Sequence, residues 1–306
     1  MLLRPRRVPP EERDHLRDHH VAEETIRWLK RAQKEGGGKP FFVTAGFNRP
    51  HLPFEVPEEF FDLYPPESIV LPPPPAADAP AVPAKALRTK ANAPAMTPDQ
   101  ERQVISSYYA AVTYVDAQIG LVLKALERFG LEENTLVILT SDHGYLLGEH
   151  GGLWGKVALF EQAVRVPLLI AGPRVLRGVR SPRTVELLDL APTLTELAGL
   201  ATPRGFEGKS LAPLLAEPAA AWGKPAFTVL ALGKGGKSLA RSVRSERFRY
   251  TEWGSASEAE LYDHDADPGE FTNLAKNPAF ARDRSEMKKL LGRGDPPWWG
   301  RFWLVE

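Results

Sequence analysis

The stretch TLVILTSDHGYLLGEHGGLWGKVALFEQAVRVPLLIAGP, residues 135–173, decides the fold. Its opening, residues 135–142, is nearly continuously apolar, which is the pattern of a strand buried on both faces of a parallel sheet. Its close, VPLLIAG at 166–172, predicts a second buried strand. Just upstream, residues 99–129 give the strongest helical signal in the chain. Val104, Tyr108, Val112, Val115, Ile119, Val122 and Leu126 fall at steps of three and four, Thr97 or Asp99 can cap the start, and Gly130 follows the end. A helix feeding a buried strand is the alternation of an α/β protein.

Further upstream, VAEETIRWLKRAQK (21–34) places Val21, Thr25, Trp28, Leu29 and Ala32 near one helical face, and the glycine run 36–38 ends it. FFVTAGF (41–47), bounded by Pro40 and Asn48, reads as another buried strand. From Asn48 to Pro98 the chain is mostly loop, with a proline-rich excursion at about 65–98 that excludes helix or central strand. Such a loop is either functional or a polyproline-II segment on the surface.

Downstream, residues 184–197 read as a helix interrupted at Pro192. Past Lys224 the character changes. AFTVLAL (226–232), ARSVRSERFRYTEW (240–253) and AELYDH (259–264) read as strands in an antiparallel arrangement, followed by a helix at 278–291 and the tail PPWWGRFWLVE. The expected organisation is an α/β domain over 1–222 and a small α+β subdomain with an antiparallel sheet over 223–306.

The 306 residues carry 39 Lys plus Arg against 39 Asp plus Glu, a formal net charge of zero. That balance argues against a nucleic-acid binder relying on bulk positive charge. Apolar residues at 43% and charged residues at 25% exclude a disordered acidic chain. With no cysteine, disulfides, zinc–thiolate sites, iron–sulfur clusters and a thiol nucleophile are all excluded. No apolar run reaches the length of about 18 residues that a membrane span needs, so none is expected. MLLRPRRVPPEERDH has basic residues without a following apolar run, so no signal peptide is expected either.

Chemistry concentrates at two strand ends, where open α/β sheets bind ligands. Asp142 and His143 offer carboxylate oxygens and a ring nitrogen, both competent metal ligands, and Gly144 lets the backbone turn sharply. Taken alone, such a pair also serves as a cap. Lys156, across the glycine-rich turn GEHGGLWGK, is a compact positive charge suited to a sulfate or phosphate oxygen, or else a solvated surface lysine. In GFNRPHLPF (46–54), Pro50 and Pro53 bracket His51, which either packs under the proline loop or is held to bond a substrate oxygen and move a proton.

GFNRPHLPF, SDHGYLLGEHGGLWGK, the following FE and VRVPLLIAGP together resemble the sulfatase family of the alkaline-phosphatase superfamily, in its iduronate sulfatase-like and choline sulfatase-like branch. KPFFVTAGFNRPHLPFEVPEEFFDLYP, YYAAVTYVDAQIGLVLKALERFGL and RSVRSERFRYTEW…AELYDHDADPGEFTNLA extend the likeness over about residues 20–290. The resemblance implies an alkaline phosphatase-like sandwich with a mostly parallel central sheet, and hydrolysis of sulfate esters, for instance of a sulfated carbohydrate. It implies Asp142 and His143 as ligands of a divalent cation, usually calcium. It implies Lys156 as a sulfate contact and His51 as a contact to the sulfate or its leaving-group side, while Tyr145 either lines the substrate pocket or stands exposed on a turn. Family members are usually periplasmic, secreted or lysosomal.

The chain departs from the family pattern in two places. The nucleophile of sulfatases arises from a Cys/Ser-x-Pro-x-Arg motif, which is absent here, since RSPR at 180–183 has the wrong spacing. The adjacent aspartates that complete the family's metal site are also absent, because no Asp-Asp pair occurs. The expectation is a chain corresponding to the C-terminal part of a sulfatase, with an incomplete, weak calcium site and no covalent turnover by itself. An incomplete sheet also predicts low stability or oligomerisation. A non-catalytic binder of sulfated glycans and a phosphodiester or phosphonate hydrolase are the alternatives.

Overall fold

The computed structural model describes residues 5–35, 39–74, 82–87, 95–232 and 238–293. The Trp-rich tail and parts of the proline-rich excursion lie outside the described residues. Two compact units divide the chain: one comprises Met1–Pro72 and Pro94–Val137, the other Pro73–Ala93 and Ile138–Glu306. The composition change near 222 falls inside the second unit, just ahead of an antiparallel sheet.

In the first unit β1 (Arg6–Val8) pairs in parallel with β2 (Glu55–Pro57), Arg6 opposite Glu55 and Val8 opposite Pro57. Helix α1 (Arg17–Glu35) buries Asp18, Ala22, Thr25 and Leu29, spaced along one face. Short α2 (Glu58–Phe61) leads toward α3 (Pro98–Arg128). The cap of α3 is the expected one: Thr97 Oγ1 accepts from Gln100 N at 3.3 Å while Gln100 Oε1 accepts from Thr97 N at 2.9 Å. Gly130, at φ 65°, stops it. The buried face of α3 differs from the expected stripe. It runs through Val104, Ala110, Ala111, Tyr114 and Gln118, and Val112 is exposed. The fully buried Ala110 and Ala111 on this face are not revealed by the spacing of the larger apolar residues.

FFVTAGF forms no helix and joins no sheet among the described residues, and Phe42 is 76% exposed. A strand needs a hydrogen-bonded neighbour as well as apolar residues, and this segment lacks one there.

In the second unit β3 (Val137–Thr140) pairs with β6 (Leu168–Ala171) in a two-stranded sheet. Both are half-buried, with Leu169 60% exposed, whereas burial on both faces was expected. Among the described residues no further strand joins them, and two strands shield less surface than a wide sheet. A hairpin of β4 (Leu146–Leu147) and β5 (Trp154–Gly155) encloses the single turn α4 (Glu149–Gly152). Then follow α5 (Glu161–Val164), α6 (Leu190–Leu197) and α7 (Ala212–Ala216).

The antiparallel sheet has order β10–β9–β8–β7, with β7 Ala226–Leu232, β8 Ser238–Arg244, β9 Phe248–Trp253 and β10 Ala259–Asp263. The expected strand over 240–253 is two strands, turned where Ser245 N donates to Phe248 O. Alternation gives each side of the sheet its own core. Val243, Phe248, Tyr250 and Leu261 pack with Met287 and Leu291 of α8 (Ala281–Arg293). Ala240, Trp253 and Tyr262 pack with Leu146, Leu153 and Phe160 around the hairpin. The sheet therefore backs the segment that carries the candidate site.

Candidate functional site

Asp142 and His143 follow the end of β3. Asp142 Oδ1 accepts from His143 N at 3.0 Å and from Ser141 Oγ at 3.4 Å, and the side chain is 81% exposed. His143 Nδ1 lies 2.8 Å from Gly144 O. A carbonyl oxygen only accepts, so Nδ1 carries the proton and the neutral ring's lone pair sits on Nε2. That Nε2 lies 3.4 Å from Asp142 Oδ2. Two electron-rich atoms therefore lie close together there.

Gly144 explains why the turn needs glycine. Its N donates to Ala163 O at 2.8 Å, and a Cβ would overlap the carbonyl oxygen of Gln162. Tyr145 is half-buried, and burial raises its phenol pKa. Since Leu146 pairs with Gly155, Tyr145 and Lys156 occupy the positions just beyond the paired register, at the open end of the hairpin. Lys156 is exposed, and among the described residues its ammonium joins no hydrogen bond or ion pair.

The hairpin's closed end is built from groups the sequence reading left unassigned. Glu149 accepts from Leu147 N at 2.5 Å, and burial raises its carboxyl pKa. His150, in the left-handed region at φ 54°, stacks on Phe160 at 3.7 Å between centroids and sits 3.4 Å from Gln162 Oε1 through Nε2. Burial lowers its pKa, against the pull of Gln162 and Glu270, and so favours the neutral ring. The signal for both residues was the GEHG motif itself.

Beneath this segment lies a buried charge cluster. Arg249, 3% exposed, donates through Nε to Glu270 Oε1 at 2.5 Å and through Nη2 to Glu161 Oε2. Glu270 also accepts from Glu161 N at 2.8 Å and lies 2.8 Å from His264 Nε2. Burial opposes the charge of Glu270, but Arg249 and His264 outweigh it and lower its pKa. Arg249 thereby fixes the start of α5, whose Ala163 carbonyl holds Gly144.

His51 belongs to the first unit. Its Nδ1 lies 2.7 Å from Leu52 O, which puts the proton on Nδ1 and directs Nε2 outward, as in His143. Its backbone N donates to Asn48 O at 2.9 Å. The structure thus joins Asp142 to His143, sets Tyr145 and Lys156 at one hairpin end, and places His51 in a separate unit.

The sulfatase family is metal-dependent, and among the described residues two groups of metal-ligating residue types bear on this. Glu161, His264 and Glu270 place ligand atoms within 4.8 Å of one another. Arg249 already occupies that space with a fixed positive charge, so the group does not fit a metal ion. Asp142 and His143 set one carboxylate oxygen and one ring nitrogen 3.4 Å apart, two atoms of a type that ligates metals and not a complete site.

The sulfatase family profile matches residues 4–200, and the chain belongs to that family. A second profile, N-sulphoglucosamine sulphohydrolase, C-terminal, matches residues 148–294. A sulfatase of Formosa agariphila is 35% identical over 295 residues, covering 94% of this chain and 56% of the relative. Iduronate 2-sulfatase of Mus musculus is 36% identical over 224 residues, covering 60% of this chain and 40% of the relative. The chain thus spans about half the length of these curated relatives. The solved phosphonate monoester hydrolase from Silicibacter pomeroyi superposes with a TM-score of 0.81 at 25% identity, covering 96% of this chain and 62% of that one. The fold is accordingly the alkaline phosphatase-like α/β fold that the resemblance implied. No helix among the described residues is long and apolar enough to cross a membrane.

Proposed function

We propose that this chain supplies the anion-holding side of a sulfate-ester hydrolase acting on a sulfated carbohydrate. The observation that carries the reading is the convergence of His143 Nε2 and Asp142 Oδ2 at 3.4 Å, with the opposite ring nitrogen tied to a carbonyl. Asp142 and His143 would hold a divalent cation, calcium by family analogy, which when bound screens the charge of a sulfuryl oxygen. Lys156, whose ammonium has no partner among the described residues, sets a fixed positive charge against another such oxygen. His51, when protonated, has its Nε2–H free to give a proton to the leaving oxygen. Tyr145 lines the pocket beside Lys156. A nucleophile is assigned to none of these residues, so bond cleavage is assigned to a complementing segment that brings one. The sugar assignment draws on the sulphohydrolase profile and the iduronate 2-sulfatase likeness.

A second reading, phosphonate ester hydrolysis, is favoured by the superposition on the phosphonate monoester hydrolase. The test is a sulfate-release assay on a sulfated monosaccharide with calcium analysis, run on the chain alone and with a sulfatase N-terminal segment carrying Cys-x-Pro-x-Arg and an Asp-Asp pair. The expected result is calcium-dependent binding without release by the chain alone, and release on complementation that Asp142→Asn abolishes. Release by the chain alone would overturn the assignment of the nucleophile. Faster release from phosphonate esters would support the second reading, and binding of neither class would leave only a non-catalytic fold.

A further inference from the structure

In α1, Asp18 is a buried carboxylate, 2% exposed, in the first turn of the helix. Its partners are two consecutive backbone amides: Asn48 N donates to Oδ1 at 2.6 Å and Arg49 N donates to Oδ2 at 3.0 Å. Burying a carboxylate is costly unless charge-assisted bonds compensate, and two amides together with the positive end of a helix provide that compensation. What the arrangement fixes is the peptide two residues ahead of His51. From there a second link runs forward. Arg49 donates through Nη1 to His51 O at 3.2 Å and through Nε to Glu55 O at 3.0 Å, and it faces Glu55 Oε2 at 3.6 Å. His51 N in turn closes on Asn48 O. The backbone of His51 is therefore held from both sides by residues that Asp18 anchors, and its ring is held through Nδ1 by the next carbonyl.

We infer that Asp18 is a positioning residue for His51, acting through Asn48 and Arg49 to fix the backbone on which the imidazole presents Nε2. This inference rests on the reading of His51 as a sulfate-contacting group. It reaches beyond the sequence motif, because Asp18 lies 30 residues before Asn48 and in a different element. His143 gives an internal control, since its ring is tied in the same way to Gly144 O in the other unit.

The experiment uses the full chain labelled with 15N at histidine and at backbone amides, comparing wild type, Asp18→Asn and Asp18→Ala. The imidazole nitrogen shifts report the tautomer. A merely structural role would lower the thermal midpoint and leave the tautomer of the folded fraction unchanged. The expected result is loss of the fixed Nδ1–H form at His51, retention of it at His143, and exchange of the Asn48 and Arg49 amides faster by about tenfold or more, the effect of losing a bond to a charged acceptor. Asp18→Asn, which keeps one acceptor, should fall between wild type and Asp18→Ala. Unchanged His51 nitrogen shifts and amide exchange in both variants would overturn the inference. If Asp18→Ala does not fold, Arg49→Lys tests the same link, since one ammonium cannot span both carbonyls; an unperturbed His51 in that variant would also overturn it. Titration of the wild-type chain with inorganic sulfate, read at His51 Nε2 and the Lys156 ammonium, tests the underlying reading separately. Absent shifts there would overturn the sulfate assignment and leave the Asp18 link standing.

Discussion

Arg249→Met is the perturbation whose effect the structure fixes most tightly. The guanidinium is 3% exposed and bridges Glu161 and Glu270, and Glu270 is itself fully buried. Removing one partner of a buried ion pair costs about 3–5 kcal/mol, because the charge left behind is uncompensated. His264 remains on Glu270 at 2.8 Å, and Arg244 remains 3.6 Å from Glu161, so the loss stays inside that range. At about 2–4 °C per kcal/mol for a domain of this size, the thermal midpoint should fall by about 6–20 °C. The damage should also reach the candidate site, because Glu161 opens α5 and Ala163 O holds Gly144 N at 2.8 Å. Circular dichroism melting gives the first quantity, and hydrogen exchange at the Gly144 amide gives the second. The triple variant Glu161→Gln, Arg249→Met, Glu270→Gln should recover much of the loss, since neutral groups leave no unpaired charge. A single variant that melts within about 2 °C of wild type would refute the reasoning, for by the same conversion the cluster would then contribute under about 1 kcal/mol.

Gly144→Ala should destabilise the second unit by about 1–3 kcal/mol, the range for overpacking, and should shift the His143 resonances, because the added methyl meets the Gln162 carbonyl; unchanged spectra would count against the close approach. Glu260, buried and accepting from Trp253 Nε1 and from Tyr262 OH at 2.6 Å, has its pKa raised to about 7, chiefly by burial. A carboxyl raised on folding keeps its proton longer in the native state, so stability should fall as pH rises from about 4.5 to 7, by about 3 kcal/mol. Denaturant titrations across that window should lose this slope in Glu260→Gln. His150 acts with the opposite sign: its lowered pKa means stability present above its unfolded value near 6.5 and lost as pH falls through the folded value. His150→Phe should therefore resist acid better than wild type, and equal acid sensitivity would contradict the stacked neutral ring.

The legible parts of the fold were those where local chemistry suffices. Thr97, one of the two caps the sequence offered, announced the start of α3, and alternation announced the strands beyond Lys224. The segment 41–47 was misread because its apolar residues describe an extended chain but not the neighbour a strand requires. The turn at Ser245 was missed because alternation continues across it, and residues 240–253 read as one strand. The place of Asp142 and His143 just after a strand was legible from the apolar run before them, and the close approach at Gly144 from the glycine itself. Arg249 was not legible. Its partners lie 88 and 21 residues away, and only the folded sheet brings them to one face. Asp18 was hidden for the same reason, inside a charged run that reads as solvated.

The central claim is that His143 Nε2 and Asp142 Oδ2 form a cation-holding pair. A calcium titration of the full chain, followed by the 15N resonance of His143 Nε2 at a pH where the ring is neutral, tests it directly. The account predicts a saturable shift at Nε2, an unmoved Nδ1–H bonded to Gly144, and no response in Asp142→Asn. A His143 spectrum indifferent to calcium at every concentration, or one that responds equally in the variant, would contradict it.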